Sequence, residues 1–82
     1  MIIVDSYRDH GKKGIWCHLA STKSLAEIHA FALNIGVPFH CFQPYHYDLT
    51  AGWRMRAIAA GAKAVSAAQL VKMMKPRRRK KR

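Results

Sequence analysis

The chain is poor in acid, in cysteine and in long apolar runs, and each shortage narrows what it can be. Only four of its 82 residues are Asp or Glu, against fifteen Lys and Arg, for a formal net charge of +11. A surface of that sign is suited to polyanions. The two cysteines, Cys17 and Cys41, are too few for a disulfide scaffold and sit in apolar segments, as reduced, buried thiols of the cytoplasm do. No run approaches the ~20 apolar residues of a spanning helix. "MIIVDS" meets an acid at residue 5, which a signal peptide's apolar stretch would not. Several chemistries lack their signature as well. There is no H-E-x-x-H, no C-x-x-C, no P-loop and no dinucleotide glycine pattern, and "HLA", "HCF" and "HYD" fail the H-x-T or H-x-S repeat of a two-histidine phosphoesterase.

Half of the residues are hydrophobic, enough for one folded domain. A chain this short buries only about 60–65% of its unfolded surface, so polar groups placed inside are expensive. The charge is uneven. Residues 75–82, "KPRRRKKR", hold Lys75, Arg77, Arg78, Arg79, Lys80, Lys81 and Arg82. Like charges repel and nothing apolar offsets the ordering entropy there, so a domain over 1–74 followed by a disordered basic tail is expected. Cations condensed on a phosphate backbone release counterions and bind without reading sequence; the plainer reading is a solubilising tail.

The pattern along the chain predicts an α/β domain, a small, largely parallel or mixed sheet of three to four short strands covered by three helices. "MIIVDS" reads as a strand, "DHGKKG" as a turn, and "GIWCHLA" as a second strand with Ile15, Cys17 and Leu19 on one face and Trp16 and His18 on the other. Ser24 and Glu27 form a capping box and Gly36 with Pro38 ends the helix, whose buried stripe is Leu25, Ile28, Ala32 and Ile35. "VPFHCFQ" reads as a third strand. "PYHYDLT" reads as a turn whose Asp48 or Thr50 caps a second helix with Ala51, Met55 and Ile58 inward. "AKAVS" is a last strand, Ser66 and Gln69 a second capping box, and Ala67, Leu70, Val71 and Met74 the buried stripe of a helix that Pro76 ends.

On this reading Asp5 ends the first strand, His18 nears the end of the second, and His46 and Asp48 lie just beyond the third. The carboxyl ends of strands are where open α/β sheets build sites, which makes these four the candidate catalytic set. His29 and Arg54, on the inward flanks of two helices, close the same place with Tyr47. Each has a plain alternative: Asp5 as a turn residue, His18 as a half-exposed strand histidine, His29 as a core hydrogen-bonder, Asp48 as a helix cap, Arg54 as an ion-pair partner. Their number favours a shared site, because mutual contact offsets the desolvation of three histidines and two carboxylates. His18, His29, His46 and Asp48 are candidate ligands for a divalent metal such as Zn or Mn, and histidine with aspartate also suits acid–base chemistry near neutral pH.

"VD" at 4–5, "WCHLA" at 16–20, "SLAEIHAFALNIGVP" at 24–38, "HYDLT" at 46–50 and "RAIAAGAKAVS" at 56–66 resemble the domain-of-unknown-function family numbered 4031, short proteins of bacteria and their phages. The resemblance covers nearly all of residues 1–74, and its pattern falls on Asp5, His18, His29, His46, Tyr47, Asp48 and Arg54. It brings no activity or cofactor. The occurrence of members in phage genomes implies a role around nucleic acid in a host cytoplasm. "LTAGW" at 49–53 departs from the more polar stretch the family pattern leads one to expect before Arg54.

Three functions therefore stand as expectations. One is a nucleic-acid-associated protein, gripping DNA or RNA through its tail and through Lys12, Lys13, Arg56 and Lys63. The second is a small metal-dependent nuclease or phosphoesterase with Arg54 holding a phosphate. The third is a phage protein that binds a host protein without catalysis, which a large exposed apolar patch would favour.

Overall fold

The fold is given by a computed structural model that describes residues 1–9, 11–43, 45–50 and 52–79, with the backbone alone at residue 13 and at 75–79. Six strands and three helices follow one another as β1 (Ile2–Val4), β2 (Arg8–Asp9), β3 (Ile15–Ser21), α1 (Leu25–Ile35), β4 (Phe42–Gln43), β5 (His46–Leu49), α2 (Trp53–Ala59), β6 (Lys63–Ala64) and α3 (Ala67–Arg79). The sheet runs β4-β5-β3-β1-β6, with β2 paired to β3 alone. It is mixed, as one of the two expected forms has it, but it has more strands than the three to four expected. It is also far from largely parallel: β1 with β6 is the parallel pair, and the other four pairings are antiparallel. For two of those four the reason is local: β2 and β3, and β4 and β5, are consecutive strands five and two residues apart, and connections that short make antiparallel neighbours.

Strand register divides the side chains between two faces. Ile3 opposes Ala20, and Ala20 opposes His46 on its other side. Directly opposed residues share a face and alternate residues do not, so Ile3, Asp5, His18, Ala20, His46 and Asp48 lie on one face. Val4, Cys17, Leu19, Tyr47 and Leu49 lie on the other, all of them buried. Helix α1 packs on this second face through buried Ile28, Ala32 and Ile35. Each fully buried Leu or Ile here contributes roughly 1.5–3 kcal/mol. Helix α2 lies beside α1, its Trp53 ring 3.7 Å from where a Cβ on Gly36 would stand. Helix α3 covers part of the first face with Leu70 and Met74.

The helix punctuation read from sequence is present. Ser24 Oγ accepts from Glu27 N and Gly36 closes α1 at φ 93°; Ser66 and Gln69 exchange both bonds of a capping box. Glu27 does not complete the first box, because its carboxylate takes Ser21 Oγ and the Met1 ammonium instead.

Several expectations are corrected. Leu25 on α1 and Val71 on α3 are exposed, and so are Met55, at 77%, and Ile58, because α2 is only two turns long and buries its opposite side through Ala57. Asp48 and Thr50 cap nothing, for Gly52 stands at the α2 N-cap with no side-chain hydrogen bond. The "VPFHCFQ" strand is a short 3-10 turn, Phe39–Cys41, with two strand residues after it. Helical backbone also continues past Pro76 to Arg79; proline's own φ is helical, so its cost there is one lost donor and a crowded turn. Ala51 and residues 80–82 fall outside the described residues, as do the side chains of 75–79. No helix of the described residues is long and apolar enough to cross a membrane.

Candidate metal centre

The stretch "HYDL" is a strand, and that changes how its residues are presented. Tyr47 and Leu49 turn into the α1 face, at 2% and 0% exposure, while His46 and Asp48 stand side by side on the other. β5 pairs with β3 so that His18 opposes Asp48 directly. On its other side, β1 brings Asp5 level with His18: Asp5 N donates to His18 O at 3.1 Å, and His18 N donates to Asp5 Oδ1 at 2.7 Å. His18 thus stands between two carboxylates from neighbouring strands.

Asp5 is almost wholly buried, at 1% exposure, and its second oxygen, Oδ2, lies 2.9 Å from His18 Nδ1. That bond favours the protonated imidazole and holds His18 above its ordinary pKa, with burial opposing. His46 is shifted the other way, downward, first by burial and then by the neighbouring His18, against the attraction of Asp48. The two rings meet edge to face at 4.7 Å between centroids. His46 Nε2 lies 3.2 Å from Asp48 Oδ1, yet that oxygen is buried and makes no hydrogen bond among the described residues.

One donor atom from each of His18, His46 and Asp48 falls within 4.8 Å of the other two. Donors bound at about 2.0–2.1 Å to one tetrahedral ion stand about 3.3 Å apart. The His46 to Asp48 separation already fits, and a small inward movement of His18 completes the set. With Nδ1 engaged by Asp5, coordination by His18 uses Nε2, the arrangement in which a carboxylate orients a ligating imidazole from behind. Two imidazoles and one carboxylate suit zinc, manganese or iron.

Two clefts meet at this cluster. One, of about 290 Å3, lies between the sheet and α3 and includes Asp5, Arg8, His18, Tyr45 and His46 in its wall. The other, a more open groove of about 750 Å3, runs over His18, His46 and Asp48 toward Trp16, His40 and Gln43.

Other expected members lie elsewhere. His29 is on α1, where its Nδ1 is 2.8 Å from Tyr47 Oη and its ring packs on Phe42 and Phe39. The parity of β5 puts Tyr47, and so His29, across the sheet from His46, which removes His29 from the ligand set and both from substrate contact at these clefts. Burial raises the Tyr47 pKa. Arg54 donates Nε to the Asp5 carbonyl at 2.7 Å and lines neither cleft, so it braces Asp5 rather than facing a phosphate. Of the basic residues, Lys12 is exposed at the turn between β2 and β3, Arg56 stacks over the Trp53 ring at 4.8 Å, and Lys63 is exposed on edge strand β6. The side chains of Lys13, Lys75, Arg77, Arg78 and Arg79, and all of Lys80, Lys81 and Arg82, lie outside the described residues.

Arg8 is one of the cleft residues that sequence reasoning overlooked. A lone arginine in a polar loop carries no signal, and its place follows only from the pairing of Arg8 with Trp16. The alternation in "HYDL" was a usable signal for β5, masked by the proline and the turn-forming residues around it.

The family described as "Protein of unknown function (DUF4031)" matches residues 2–77, and the chain belongs to that family. No curated protein and no solved structure matches the chain.

Proposed function

We propose that this family member is a small metal-dependent phosphoesterase acting on nucleic acid, with His18, His46 and Asp48 holding one divalent ion, zinc or manganese. The observation that carries the reading is Asp48 Oδ1: buried, making no hydrogen bond among the described residues, and facing His46 Nε2 at 3.2 Å. A buried carboxylate oxygen without a hydrogen bond costs several kcal/mol, and a cation shared with His46 removes that cost. Bound there, such an ion would lower the pKa of a coordinated water and polarise a phosphoryl oxygen. The chain's own residues do the rest. Asp5 fixes the His18 ring, Arg54 fixes the Asp5 backbone, and Arg8 in the adjoining cleft neutralises phosphate charge.

Elemental analysis of purified protein tests this directly, together with hydrolysis of a fluorogenic oligonucleotide. The expected result is about one ion per chain, as one three-ligand centre requires, with activity lost in chelator and restored by the ion. His46→Ala abolishes both. Metal-free wild type that still hydrolyses the probe, or His46→Ala with unchanged metal content, would overturn the reading.

A second reading is favoured by the charge of +11: association with DNA or RNA without hydrolysis, the ion then being structural. It differs in outcome, since metal would bind and the probe would stay intact.

A further inference from the structure

We propose that the cleft between α3 and the sheet seats one unstacked base of a single-stranded nucleic acid, with its phosphate at Arg8 and the next one over His18 and His46. This rests on the phosphoesterase reading and names the form of nucleic acid taken.

The two walls of the cleft are unlike. The sheet side offers Asp5, His18 and His46, and the helix side offers Leu70, Val71 and Met74. A free phosphate has no use for the apolar wall, and an alkyl chain has none for the polar one. A nucleobase has apolar faces and hydrogen-bonding edges, so it satisfies both.

Tyr45 adds the third element. It lines the cleft mouth, is 43% exposed, and is held at φ 81°, the left-handed region, where it is the one non-glycine among the described residues. Such a conformation costs about 1–3 kcal/mol and persists where the surroundings impose it, often at ligand sites. Here the short connection between paired Gln43 and His46 imposes it, and the ring is delivered to the cleft. An aromatic ring beside a cation, here Arg8 in the same cleft, is how single strands are held, by stacking that tolerates any sequence.

Continuity of space places the neighbouring phosphate. The helix that builds the apolar wall carries exposed Lys72 next to Val71. On its other side, the cleft shares His18 and His46 with the open groove, so the phosphate following the seated base meets the donor cluster. A base inside a duplex is stacked on both faces and cannot enter without being extruded, which selects single strands.

The test uses the full chain in chelator, so that neither metal nor hydrolysis enters the readout. Fluorescence anisotropy compares a labelled single strand of about ten nucleotides with an abasic strand of equal charge and with a duplex. The base-bearing strand is expected to bind about tenfold more tightly than the abasic one, the scale of one stacked base. Tyr45→Asn, which suits the left-handed backbone, and Val71→Ser, an uncharged change at an exposed position, should abolish that preference while leaving abasic affinity close to wild type. Tyr45→Phe should keep it. Equal affinity for abasic and base-bearing strands, or a preference for duplex, overturns the inference. The phosphoesterase reading is judged separately, by metal content and hydrolysis. Preference without metal would sink that reading alone, and metal with hydrolysis but no base preference would sink this one alone.

Discussion

His18 is made useful by residues on either side of it in the sheet rather than near it in the chain. Asp5 is thirteen positions away, and its carboxylate decides which ring nitrogen faces the cluster. Asp5→Asn keeps the shape and removes the charge, so the fold should persist while metal affinity drops about 10–100-fold, the range for loss of a carboxylate behind a ligating histidine. Isothermal titration of zinc into metal-free protein measures this, and undiminished affinity would show that Asp5 is structural alone. The individual candidates Asp5, His18, His46 and Asp48 were legible as chemically suitable residues, but their convergence was argued from strand ends of a parallel sheet. They converge instead across one face of antiparallel strands. Glu27 gives a separate prediction at this scale. Hydrogen bonding to Ser21, then to the Met1 ammonium, lowers its pKa below the ordinary 4.5. A carboxylate whose folded pKa is depressed contributes stability at higher pH and loses it as pH falls through the folded value. Glu27→Gln should therefore be less stable than wild type in urea at neutral pH, with the difference shrinking as pH falls below the ordinary carboxylate value and through the depressed folded one. A gap that persists into acid would assign the effect to shape rather than charge.

The elements that could be read in advance were those whose signals are local. Ser24, Gly36, Ser66 and Gln69 mark helix ends through bonds within one turn, and all four act as their residue types predict. What could not be read was pairing. Register is set by contacts between segments far apart in sequence, so β2 with two residues and β4 with two carry too little pattern to announce themselves. The helix stripes show a similar limit: periodicity identifies a face, and only the assembled sheet decides whether Val71 or Leu70 is covered. Gly36 offers a clean test of the local kind. Its φ is 93°, and a Cβ there would meet Trp53 at an ordinary 3.7 Å, so the cost of Gly36→Ala is backbone strain alone, about 1–2 kcal/mol. Gly36→Asn should cost less, because asparagine tolerates the left-handed region. Urea midpoints for the two variants rank them, and equal losses would point to packing against Trp53 instead.

At the scale of the whole molecule, the donor cluster and the positive charge have different tasks in the proposed function, and they can be separated. The cluster sits between two clefts on one sheet face, whereas seven of the fifteen basic residues lie in 75–82. Cations that neutralise phosphates release counterions, and each contact steepens the fall of log K with log salt by about 0.7 on a single strand. Replacing all seven by glutamine keeps the chain length and removes their charge. The expected result is a salt slope reduced by several units and an affinity much weakened at low salt, with metal content unchanged and the preference for base-bearing over abasic strands intact. That combination would follow because stacking in the cleft is short-ranged and is little screened, while the grip of the basic run acts on phosphates regardless of base. An unchanged slope would mean that phosphate contact is made by the folded body alone, through Arg8, Lys12 and their neighbours, and that the basic run serves only to keep the protein in solution.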